Sequence, residues 1–258
     1  MRNAFVLARK DFASYFRSWA GVFIAVFFLL LSGIFFSLLV MTYAKISIDA
    51  AKQAYQGVQG LGLTRFVFSS FFLNLGVVLI FIVPILSMRS FAEERKQQTL
   101  ELLWTYPLSD FEIVWGKFLA LVWFFELLFL PTVLYVPVIA HLGGKLDWGP
   151  IAVGYLGFWL LGNAYLALGL FVSSIAETPT VSAIVTFGCL IIFWILDWVP
   201  AVTDGKWSLF FAALSPLSRY HEFTLGVLDL SHVVYFCLFF LYFIFLALRS
   251  IEMRNWKG

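Results

Sequence analysis

Two carboxyl and two amide side chains interrupt apolar runs of membrane-spanning length, and any chemistry inside a bilayer would start from such residues. Glu126 is flanked by Phe124, Phe125, Leu127 and Leu128. An ionised carboxylate facing lipid costs a few kcal/mol, so it is protonated, paired or turned inward. The matching functions are a substrate contact or a proton step; the competing role is a hydrogen bond to a neighbouring helix. Asp197 lies near the outer end of another apolar run, within reach of water. Asn74 and Asn163 suit interhelical hydrogen bonds better than ligand contacts. Glu126, Asn74, Asn163 and Asp197 are therefore the candidate translocation-pathway residues.

Other chemistries lack their spacing. Gly116-Lys117 resembles the end of a phosphate loop, which needs a glycine five residues before that second glycine and Ser or Thr after the lysine. Phe111 and Phe118 occupy those positions. His141, His221 and His232 have no metal-ligand spacing, and neither His-Glu-x-x-His nor Gly-x-Ser-x-Gly occurs. Cys189 and Cys237 both lie in apolar blocks and read as buried small side chains. No catalytic residue, metal ligand or resident cofactor is expected.

The elements that must carry these residues follow from composition. The chain has 258 residues, 62% apolar, 20% aromatic and 12% charged, whereas soluble domains carry about 25% charged residues. Such a chain belongs in lipid. Apolar blocks of span length fall at about 20–43, 66–88, 114–140, 150–173, 181–199 and 232–248, giving one transmembrane domain over 1–258. With the N-terminus inside, eleven basic residues are cytoplasmic and six (Lys45, Lys52, Arg65, Lys145, Lys206, Arg219) external. That bias places both termini in the cytoplasm. Residues 1–19 place Arg2, Arg9, Lys10 and Arg17 among apolar residues at helical spacing, as in an amphipathic helix in the headgroup region. Ala44–Arg65 reads as a polar, glycine-dotted loop. Trp207–Leu214 and Pro216–Leu228 read as short re-entrant or surface helices. Gly154, Gly157, Gly162 and Gly169 mark the fourth block as a close-packing helix.

The longest charge-bearing island runs from Arg89 to Lys117. Its polar start leads into Leu100, Leu102, Leu103, Trp104 and Tyr106 and stops at Pro107, the pattern of a short amphipathic helix closed by proline.

Met88-Arg89-Ser90-Phe91-Ala92-Glu93-Glu94-Arg95-Lys96, Thr99-Leu100-Glu101-Leu102-Leu103, Thr105, Pro107-Leu108, Ile113 and Gly116-Lys117-Phe118-Leu119-Ala120 together resemble ABC-2 type permeases. Gly226-Val227-Leu228-Asp229 adds to the likeness. The chain is most similar to the permease associated with bacterial gliding motility, and more distantly to the nitrous-oxide-reductase maturation permease. Where that family usually has Gly before Thr-Leu-Glu, this chain has Gln98.

The resemblance implies an all-α integral membrane fold of the type V exporter kind. It has six transmembrane helices, an N-terminal amphipathic elbow helix, a cytoplasmic coupling helix between spans two and three, and re-entrant or surface helices between spans five and six. It implies a permease subunit of an ATP-driven exporter or extractor in the bacterial inner membrane. ATP and Mg would be bound by a separate ABC ATPase dimer. Phe91, Glu93, Glu94, Arg95, Lys96, Thr99, Leu100, Glu101, Leu102, Leu103 and Pro107 would dock that ATPase. A second permease copy, membrane lipid and an extracytoplasmic accessory protein are the further partners implied, and nucleic acid is not. The alternatives are a proton-coupled secondary transporter using Glu126, or a membrane scaffold without transport.

Overall fold

A computed structural model describes residues 2–52, 62–99, 109–141, 146–202 and 205–255. Among these residues the regular elements are all helical, and six segments are long and apolar enough to cross a membrane. In chain order the helices are α1 Arg2–Arg17, α2 Trp19–Lys52, α3 Leu63–Ser87, α4 Ala92–Lys96 and α5 Asp110–Phe129. A 3-10 turn at Leu130–Leu134 follows, then α6 Tyr135–His141, α7 Trp148–Ile175 and α8 Pro179–Leu196. The remainder are α9 Val199–Val202, α10 Lys206–Leu214, α11 Pro216–Thr224 and α12 Leu230–Asn255.

Local signals account for several boundaries. Ser109 and Glu112 form a reciprocal capping box that starts α5. Thr178 caps α8 and Ser215 caps α11, each followed by Pro at the first helical position. The expected third span is not one continuous helix. Pro131 supplies no amide and crowds the preceding turn, so the chain passes through the 3-10 turn before resuming as α6. The Tyr155 hydroxyl donates to the Thr132 carbonyl at 2.8 Å, and the Tyr135 ring stacks on Phe36. Both contacts fix the break against neighbouring helices. The polar loop expected after residue 43 begins instead as more of α2, which continues to Lys52. No glycine or proline stops it before that point.

α7 is the centre of the bundle, with α3, α5, α8, α11 and α12 packed around it. Its glycines make this possible. A Cβ at Gly154 would enter the Phe72 ring, one at Gly157 would strike Phe223, one at Gly162 would enter the Phe125 ring, and one at Gly169 would strike Ser87. The small-residue face is thus a packing surface against three helices, as its composition suggests. α2, α8 and α12 are peripheral, and their large apolar side chains such as Phe23, Ile184 and Leu238 are exposed.

The α10–α11 pair inserts beside this core. Gly226 lies against Pro150, Phe223 against Gly157, and Tyr220 against Gly76, which also faces Leu161. At 1.5 Å per residue, Leu161 lies about 20 Å along α7 from Trp148. α11 therefore re-enters to roughly mid-bundle, with the Tyr220 hydroxyl donating to the Phe72 carbonyl at 2.7 Å.

Candidate functional site

The charged segment after α3 is tied down on two sides. On one side it meets the end of α7. The Ser173 hydroxyl accepts from the backbone amides of Phe91 and Ala92, at 3.1 and 3.2 Å, and donates to the Met88 carbonyl at 3.2 Å. Arg95 donates to the Ala176 carbonyl at 2.5 Å and also to the Ser174 carbonyl. Hydrogen bonds from a charged donor are about twice as strong as neutral ones, so α4 is fastened to the α7–α8 connection.

On the other side it meets α1 and α5. Lys117, about two turns into α5, is only 3% exposed and pairs with Glu94 at 2.7 Å and Asp11 at 3.4 Å. Its ammonium also lies 5.1 Å from the centre of the buried Phe91 ring. Gly116 next to it lets α1 approach, since a Cβ there would sit 2.8 Å from the Ala4 carbonyl. Arg89 pairs with Glu93 at 3.4 Å and donates to the Ser18 hydroxyl at 2.8 Å, pinning the bend between α1 and α2. The charged groups and Ser18, with Ser14, Tyr15, Ser90 and Gln97, line a cleft of about 320 Å3. Burial pushes the Tyr15 phenol well above its ordinary pKa, and its hydroxyl donates to the Leu86 carbonyl at 3.3 Å.

The helix expected to run from the polar residues to Pro107 stops at Lys96. Gln98 is in the left-handed region at φ 55°, the only non-glycine residue with positive φ among the described residues. The Gln98 amide donates to the Arg95 carbonyl at 3.0 Å and the Thr99 amide to the Glu94 carbonyl at 2.9 Å. This crossed pair is a Schellman stop. The position where the resembled permeases carry Gly is therefore one whose backbone favours glycine. Leu100, Glu101, Leu102, Leu103 and Pro107 lie outside the described residues. Of the others, Phe91 is buried, while Glu93, Glu94, Arg95 and Thr99 are half-buried and Lys96 is exposed together with Gln97 and Gln98. Glu94 and Arg95, expected among the docking residues, are held by Lys117 and by the Ser174 and Ala176 carbonyls respectively.

The four pathway candidates do not converge. Glu126 on α5 accepts a hydrogen bond from the Trp159 indole of α7, whereas Asn163 donates at 2.8 Å to the Trp159 carbonyl of its own helix rather than across to a neighbour as expected. Asn74 instead lines an apolar groove of about 780 Å3 between α2 and α3, with Phe23, Phe27 and Phe81. Asp197 caps α8 and accepts from Ser215 at 3.5 Å. Sequence reasoning missed Asp11, Lys117 and Ser173 as site residues. Its available signal was Lys117 itself, a basic residue inside an apolar block.

The sequence profile of the ABC-2 family transporter proteins matches residues 5–252. The chain belongs to the ABC-2 family. It is thus a multi-pass membrane protein of a transport family, of the kind that works with an ABC ATPase. No curated protein matches the chain. In this ABC-2 chain the motif residues of the loop and of early α5 meet around Lys117, although α5 begins beyond the loop.

Proposed function

We propose that this chain is the permease subunit of an ATP-driven exporter or extractor. The segment 89–107 receives a separate ATPase, which binds ATP and Mg. The observation that carries this reading is how the loop is built: its base is fastened to α1, α5 and α7, while its turn at Lys96, Gln97 and Gln98 stands exposed. A partner pressing on that turn works against a fixed base rather than a yielding connection. Docking then belongs to Lys96–Gln98 and to residues 100–108, whereas Glu94 and Arg95 hold the base. This end of the bundle, with both termini, faces the cytoplasm of the bacterial inner membrane.

The exposed apolar faces of α2, α8 and α12 are covered by lipid and by a second permease copy. An extracytoplasmic accessory protein would meet the opposite end, where α10 exposes Trp207 and Phe210. Within the family, the loop motifs favour the relatives of the gliding-motility permease, without implying motility. The hydrogen bond from Trp159 supports a structural role for Glu126. Proton-coupled transport and a scaffold without transport are the outcomes opposed to ATP coupling.

Purifying the permease together with a candidate ABC ATPase tests the reading. Lys96→Glu and Gln97→Glu should weaken copurification. Full copurification by both variants would contradict docking at this turn.

A further inference from the structure

We propose that Lys117 is a positioning residue that locks the α1 elbow, the coupling turn and α5 into one moving unit. An ammonium withdrawn from water is tolerated only when paired and hydrogen-bonded. Lys117 is 3% exposed, and its two carboxylate partners come from different elements: Asp11 from α1 and Glu94 from α4. Phe91, at the start of the coupling segment, closes the third side. Sliding α4 along α5 would remove the Glu94 partner and sliding α1 the Asp11 partner, so the less costly motion carries all three elements together. Gly116 adds the close approach that brings Asp11 into range. Packed elements of this kind shift between discrete arrangements rather than deform continuously.

What drives α4 rests on the docking reading above; the lock itself is a property of the permease alone. In a background of Cys189→Ala and Cys237→Ala, spin labels at Arg9→Cys on α1 and Gln97→Cys beyond α4 report the distance between those elements. One labelled copy is diluted among unlabelled ones. The native lysine and Lys117→Arg should each give a single narrow distance peak, unchanged when the ATPase is added and trapped with ATP and vanadate. Lys117→Met should lose that peak and broaden. Glu94→Gln keeps the side-chain bulk, removes one charge and should broaden likewise, which covers a Lys117→Met protein that fails to fold. A broad distribution with native Lys117, or a narrow one in both charge-removing variants, overturns the lock. If the native peak is narrow but the ATPase neither binds nor is stimulated, the docking reading fails and the lock stands.

Discussion

Gln98 shows how one backbone angle decides where a helix ends. A residue with a Cβ pays roughly 1–2 kcal/mol in the left-handed conformation, and Gln98 holds it at φ 55° to close the Schellman turn. Gln98→Gly should therefore raise stability by about 0.5–1 kcal/mol, seen as a higher Tm in detergent. Gln98→Val should lower it. Glu126 obeys a different constraint. Its carboxyl group accepts from the Trp159 indole, and an acceptor left without a partner where lipid excludes water costs about 1–3 kcal/mol. Trp159→Phe should be destabilising by that order in a thermal melt. Glu126→Gln, whose amide oxygen still accepts, should cost less and leave permease-stimulated ATP hydrolysis unchanged.

Helices and their junctions divide into those legible in the sequence and those that are not. The six spans were legible because lipid demands long apolar runs, and the α10–α11 pair because Trp207–Leu214 and Pro216–Leu228 are apolar yet too short to span. The break at Pro131 was overlooked although proline chemistry announces it. The early end of α4 was less accessible, since Gln98 carries no compositional mark of a left-handed residue. The role of Lys117 was hidden by distance along the chain: Asp11 lies 106 residues away and meets it only after α1 folds back along α5. The α7 glycines were legible as a packing face but not in their partners. Replacing Gly162 by Leu would force atoms into the Phe125 ring, and overpacking of this kind costs about 1–3 kcal/mol or more. Loss of monodisperse protein or a marked fall in Tm is expected.

Across the whole molecule, the exposed turn, the fastened base and the central helix form a continuous mechanical route. Arg95 and Ser173 join the base to α7, and α7 contacts α11 through Gly157 and Phe223. Arg95→Met removes the donor to Ala176 and Ser174 and should reduce permease-stimulated ATP hydrolysis while the ATPase still copurifies. The measurement that tests the central claim most directly is site-specific photo-crosslinking in the intact complex. One probe replaces Gln97 at the turn and another replaces Trp207, exposed on α10. An ATPase adduct from position 97 and none from 207 is the predicted result. An adduct from 207, or none from 97 while the ATPase copurifies, would contradict docking at the turn.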